Sequence, residues 1–215
     1  MLKVCNLLTL HEENMKFDYP DWSHCHHCWW VDIVDTYLKP REPVTAIEVG
    51  CFEGRSTLWF ADHFLRAENS KMFCIDAWSG GEEVSRLNLG YDMEVVKANF
   101  FNNINEHPMK NKISVISDIS EKALGNLMHF YRKIDFIYLD GSHTRRDTLV
   151  DLVYCTSLIK QGGVIIVDDY LNKMGTNNTK LRPKNAVNFI VKSMGNEFDF
   201  FVTPEKQGVL IRRQL

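Results

Sequence analysis

With 215 residues, 45% of them hydrophobic and 25% charged, the chain has material for one α/β domain with a full core and too little for two ordinary domains. A formal net charge of −3 shows none of the basic excess that marks nucleic-acid-binding domains, so no nucleic-acid partner is expected. No apolar run reaches membrane-span length. The first residues lack the pattern of a secretory signal, and six cysteines without one point to reduced thiols in the cytoplasm.

Residues 1–43 read as a helical extension covering a core that spans 44–215, the whole forming a single domain. Within the extension, "SHCHHCWW" sets Cys25 and Cys28 among His24, His26 and His27, half of a zinc site by spacing. A second ligand pair is missing, and Cys25, Cys28, Trp29, Asp32, Ile33 and Tyr37 fit a packed helix better. Trp29 or Trp30 is a candidate for stacking on a ring, with burial the competing reading.

From residue 44 strand-like and helix-like segments alternate. "VTAIEVG" is a first strand, "RSTLWFADHFLRAEN" a helix, "KMFCID" a second strand and "ISVIS" a third. The stretch 79–107 reads as an insertion, helical near 91–105. "ISEKALGNLMHFY" is a helix, "IDFIYLD" a fourth strand, 144–160 a helix and "GGVIIVDDY" a fifth strand. After the polar loop "MGTNNTKLRP", Pro183 opens a helix to about Met194. "EFDFFVTPEKQGVLIRR" closes the chain as two strands around a turn. The pattern implies a Rossmann-like α/β fold: a seven-stranded, mostly parallel sheet, helices on both faces and a C-terminal antiparallel hairpin.

In "IEVGCFEGRST", Glu48 ends the first strand, and Gly50 and Gly54 lie in the turn entering a helix, where backbone approaches a ligand closely. Phe52 stands where a dinucleotide fingerprint needs its second glycine, so a nicotinamide cofactor is disfavoured. An acid at the next strand end, Asp76, suits the two hydroxyls of a ribose. The competing reading is a tight turn with a surface acid.

These residues resemble the first motif of class I S-adenosylmethionine-dependent methyltransferases, in the form found in small-molecule O-methyltransferases of the catechol type. The resemblance runs from about residue 44 to 213. It implies that Gly50, Gly54 and Ser56 line the methionine part of S-adenosylmethionine, with Glu48 beneath the loop. It also implies that Asp76 holds the ribose, that Ser117 and Asp118 of "SDIS" contact the adenine, and that Trp78 flanks it.

At the other strand tips, Asp140 ends the fourth strand and Asp168–Asp169 the fifth. Neighbouring strands lie about 4.8 Å apart, so these carboxylates converge, and a hard divalent cation such as Mg²⁺ relieves their repulsion. Taken singly, each is an ordinary cap or turn residue. "LDGSH" at 139–143 followed by "DDY" at 168–170 resembles the metal-dependent macrocin-type sugar O-methyltransferases, which are longer than this chain. That resemblance implies Asp140, Asp168 and Asp169 as Mg²⁺ ligands and His143 as general base. The reaction it implies is methylation of a sugar or glycan hydroxyl. Arg145 and Arg146 suit an acidic acceptor or plain solvation, and Tyr170 is a candidate pocket wall. The alternatives are a catechol- or phenol-type O-methyltransferase, an RNA or protein methyltransferase, disfavoured by the acidity and by the absence of an Asn-Pro-Pro-Tyr-like motif after the fourth strand, and a binding module that keeps the donor pocket. A homo-oligomer is left open.

Overall fold

A computed structural model describes residues 15–38, 43–80, 89–131, 133–171 and 182–214. The β-branched and aromatic runs form β1 (Thr45–Val49), β2 (Lys71–Ile75), β3 (Ile113–Ile116), β4 (Ile134–Leu139), β5 (Ile159–Val167), β6 (Phe198–Val202) and β7 (Gly208–Arg212). The segments between them form α1 (His27–Tyr37), α2 (Arg55–Phe64), α3 (Met93–Glu106), α4 (Ser120–Phe130), α5 (Arg145–Leu158) and α6 (Lys184–Ser193). One seven-stranded sheet runs in the order β3-β2-β1-β4-β5-β7-β6. β1 to β5 pair in parallel, and β7 runs antiparallel between β5 and β6.

Both sheet faces are apolar, as strands covered on two sides require. Ala46, Met72, Phe136, Tyr138 and Val164 face a core completed by α1, α2 and α3. Ile47, Phe73, Ile137, Leu139 and Ile165 alternate onto the opposite core, covered by α4, α5 and α6. The order reverses between β1 and β4, and a crevice opens there beyond the carboxyl ends of the strands.

One boundary differs from expectation. β5 starts at Ile159, ahead of Gly162–Gly163. Those glycines sit at a register shift between β4 and β5, with Gly162 at φ +75, and bend the strand instead of starting it. The insertion at 79–107 contains α3, capped by the Asp92 side chain on Glu94 and Val95; its residues 81–88 lie outside the described residues, as does most of the polar loop before α6.

The N-terminal segment packs on the face of α2. After a short 3-10 turn at His24–His26, α1 buries Trp30, Ile33 and Val34, spaced three and four residues apart as one helix face requires. Trp30 is fully buried against Trp59, Phe60 and Tyr138, and its Nε1 donates to Gln207 Oε1 at 3.0 Å. Cys25 is exposed and Cys28 partly so. No helix among the described residues is long and apolar enough to cross a membrane.

Trp30→Ala removes a fully buried indole of this contact and its bond to the hairpin, and about 3–5 kcal/mol of stability is expected to go with it. Denaturant unfolding measures this. Trp30→Phe is expected to recover most of the packing share.

Candidate active site

The donor loop is fixed by backbone contacts among three strand tips. Gly50 N–H donates to Ile75 O at 2.9 Å, and Asp140 N–H to Val49 O at 2.8 Å. Gly50 has φ +84, and a Cβ there would lie 2.0 Å from the Asp140 carbonyl oxygen. No residue with a side chain fits. Gly54 takes φ +92 at the N-cap of α2, where a Cβ would press on the Phe100 ring at 3.1 Å.

Asp76 braces the loop. Its Oδ2 accepts from Cys51 N–H at 2.8 Å and Phe52 N–H at 3.0 Å, and its Oδ1 accepts from Trp78 N–H at 2.7 Å. The carboxylate still faces the large cavity described below.

Glu48 lies under the loop, fully buried, with its carboxylate accepting from the Ser56 and Thr57 hydroxyls. Burial pushes its pKa up to about 7. Glu48, Cys51 and Cys74 are, among the described residues, the set of three donors whose atoms lie within 4.8 Å of one another. The two thiols are buried, and burial raises their pKa, so they remain protonated at neutral pH beside a carboxyl that titrates there.

Glu53, in the same loop, was not foreseen from the sequence. It is buried, its Oε1 accepting from Asp18 N–H at 2.9 Å and its Oε2 from Tyr19 N–H at 3.1 Å. Asn99 Nδ2 of α3 also donates to its Oε1 at 2.7 Å. This carboxylate ties the N-terminal segment to the donor loop. No local spacing signals it, because its partners are backbone amides far off in the chain.

At the other strand tips, Asp168 N–H donates to Leu139 O at 2.9 Å, continuing the sheet, and its carboxylate accepts from the Tyr138 hydroxyl. Asp169 turns the chain at φ +52. His143 Nε2 sits between two acids, 3.3 Å from Asp140 Oδ1 and 3.4 Å from Asp169 Oδ2. Burial, then the neighbouring Asp168 carboxylate, raise the pKa of Asp140 well above the usual range, with His143 opposing. Three hard oxygen donors whose charges crowd one another fit a divalent cation in kind. They stand wider apart than the Glu48 set, with the His143 ring between two of them.

Both groups of residues open onto one cavity of about 1030 Å³. Gly50, Asp76 and Asp118 line it from β1, β2 and β3, and Asp140, His143, Asp168 and Asp169 from β4 and β5. Other expected residues lie elsewhere. Ser56 is buried on Glu48, Gly54 lies below the loop and Ser117 is exposed outside the cavity lining. Trp78 is 4% exposed and faces away, packed on Phe100 and Phe101 with its Nε1 donating to Phe52 O at 3.1 Å. Tyr170 is buried against Phe200, its hydroxyl donating to Asn188 Oδ1 at 2.8 Å. Trp30 is buried in the core, and it is Trp22 that reaches the cavity. Arg146 lines the cavity but pairs with Asp147 and Glu121.

The buried Glu48 makes stability depend on pH with a definite sign. An unfolded Glu loses its proton near pH 4.3, and folded Glu48 only at about 7. Its contribution is therefore full below the first value, falls between the two and stays lost above. Asp151, also raised to about 7 by burial, adds a slope of the same sign. Glu48→Gln is expected to lessen the fall in unfolding free energy between pH 5 and pH 8. Equal pH slopes for variant and wild type would contradict the raised carboxyl.

A family model described as a methyltransferase domain matches residues 47–170. No curated protein matches the sequence. Among solved structures, an O-methyltransferase from Bacillus cereus in complex with SAH is 14% identical, covering 90% of this chain and 83% of its own at a TM-score of 0.61. A structure described as a putative rRNA methylase from Clostridium thermocellum is 15% identical, covering 92% and 99% at 0.63. The MycE methyltransferase of the mycinamycin biosynthetic pathway, in complex with Mg, SAH and mycinamycin VI, is 13% identical, covering 93% and 51% at 0.60. The chain belongs to the methyltransferase-domain family, with the fold of the class I S-adenosylmethionine-dependent methyltransferases.

Proposed function

We propose that the chain transfers the methyl group of S-adenosylmethionine to a hydroxyl oxygen of a sugar or glycan, with a divalent cation, Mg²⁺ by preference, at its strand tips. The observation that carries this reading is the single cavity shared by the donor loop and by Asp140, His143, Asp168 and Asp169. The complex of MycE with Mg, SAH and mycinamycin VI supports it as a precedent on the same fold.

Methyl transfer from a sulfonium needs little activation of the donor and much alignment: nucleophile, carbon and sulfur must lie in line. Holding reactants so can supply several kcal/mol of the barrier. The Gly50 backbone allows close approach to the donor, the Asp76 carboxylate is placed for ribose hydroxyls, and Asp118 and Ile119 border the adenine end. An alcohol is a poor nucleophile until it sheds its proton. His143, an imidazole at the cavity wall, takes that proton. Asp140, Asp168 and Asp169 would hold the cation, whose Lewis acidity makes a bound hydroxyl easier to deprotonate. The carboxylate-rich wall, with Arg146 already paired, favours a small acceptor over a phosphate backbone.

Calorimetric titration is expected to show S-adenosylmethionine binding that Asp76→Ala weakens about tenfold or more, in keeping with lost charge-assisted hydrogen bonds. Absence of binding at high micromolar donor would overturn the reading. With an acceptor found by mass-spectrometric screening of sugars against phenols, His143→Ala is expected to lower kcat by ~10²-fold or more, with partial rescue at high pH. Asp168→Asn and Asp169→Asn are expected to abolish Mg²⁺-dependent turnover while donor binding persists. Full activity in chelator rejects the metal.

A further inference from the structure

Three rings from three separate chain segments meet in the cavity wall: Trp22 of the N-terminal segment, Phe52 of the donor loop and Tyr91 ahead of α3. Their centroids lie 5.6 Å (Trp22–Phe52), 5.8 Å (Trp22–Tyr91) and 5.6 Å (Phe52–Tyr91) apart. Trp22 remains 53% exposed despite these neighbours. An apolar ring of that size left uncovered in a cavity is a surface waiting for a ligand, since its burial is worth more than its exposure.

The cluster is pre-organised. Tyr19 backs it, 4.7 Å from Tyr91 and 5.7 Å from Phe52, and its hydroxyl accepts from Asp92 N–H at 3.0 Å. Glu53 holds the Tyr19 backbone, and Asp21 Oδ1 accepts from Ser23 N–H and His24 N–H just beyond Trp22. The N-terminal segment thus presents Trp22 beside His26, whose ring reaches to 3.8 Å from Asp168.

Shape and charge together narrow what fits. The rings are inclined at 37°, 49° and 63° to one another, so their faces do not stack in parallel. A puckered ring with C–H bonds on one face suits such a surface, because polarised C–H groups meet the negative ring faces. The strand tips carry Asp140, Asp168 and Asp169 in the same cavity, carboxylates whose oxygens accept from hydroxyl groups.

We propose that Trp22, Phe52 and Tyr91 form the platform on which the acceptor ring stacks, and that this ring is a pyranose. The inference rests on the sugar-methyltransferase reading above and adds the surface that selects the sugar.

The test uses the full chain saturated with S-adenosylhomocysteine, and ligand-observed NMR affinities for methyl pyranosides and catechol. A methyl pyranoside is expected to bind most tightly, with Trp22→Ala weakening it roughly tenfold, the worth of one ring contact. Trp22→Phe is expected to retain most of the affinity, and S-adenosylhomocysteine to bind both variants as it binds wild type. Tyr91→Leu gives the same reading should Trp22→Ala fail to fold. Unchanged pyranoside binding in the variants, or tighter binding of catechol, overturns the platform. Failure of wild type to bind S-adenosylhomocysteine instead overturns the methyltransferase reading itself.

Discussion

The close approach of Gly50 to Asp140 is the constraint on which the rest depends. Two loops leave adjacent strands at the point where the sheet order reverses, and they run so near that a single methyl group at Gly50 would overlap a carbonyl. Backbone bonds from Gly50 to β2, from Asp140 to β1 and from Asp168 to β4 lock the tips together. The donor loop and the acidic tips therefore form one rigid rim. Alignment within a small fraction of an ångström matters to a reaction with three atoms in line, and a rim built of strand ends holds position better than free loops do.

Around that rim the chain spends its buried polar groups on scaffolding. Glu48 and Glu53 lie in the same motif and do opposite things: one is sunk beneath the loop on two hydroxyls, the other reaches outward to collect amides of the N-terminal segment. Asn99 and Asn103 of α3 extend the second network, Asn103 exchanging bonds with both backbone groups of Lys16. Each of these side chains would be costly to bury unpaired, and each is paired. A segment with little core of its own thereby becomes a fixed wall of the cavity.

The sequence shows the architecture well, because the strands are continuous apolar runs and the helices between them are amphipathic. The strand-tip acids are readable for the same reason: a carboxylate directly after such a run stands at the sheet's carboxyl edge. Side-chain direction is harder. Trp78 follows Asp76 closely, yet its positive φ turns the indole under α3. Ser56 falls on the helix face that meets Glu48, and Ser117 stands just short of the residues that reach the cavity. The burial of Trp30 was legible in its spacing to Ile33 and Val34, and that phase alone argues against a cavity role. Trp22 and Glu53 act through partners distant in sequence, for which local periodicity offers no sign.

The bond between Trp30 and Gln207 joins residues 177 apart in the chain. With β7 inserted between β5 and β6, the hairpin joins α2 and β4 in supporting α1. Contacts of such sequence separation are slow to form. Until the hairpin is threaded into the sheet, α1 can rest on α2 and β4, but the buried indole N–H of Trp30 lacks its partner. The cavity wall carrying Trp22 is thus fixed only after residues far apart in the chain have met.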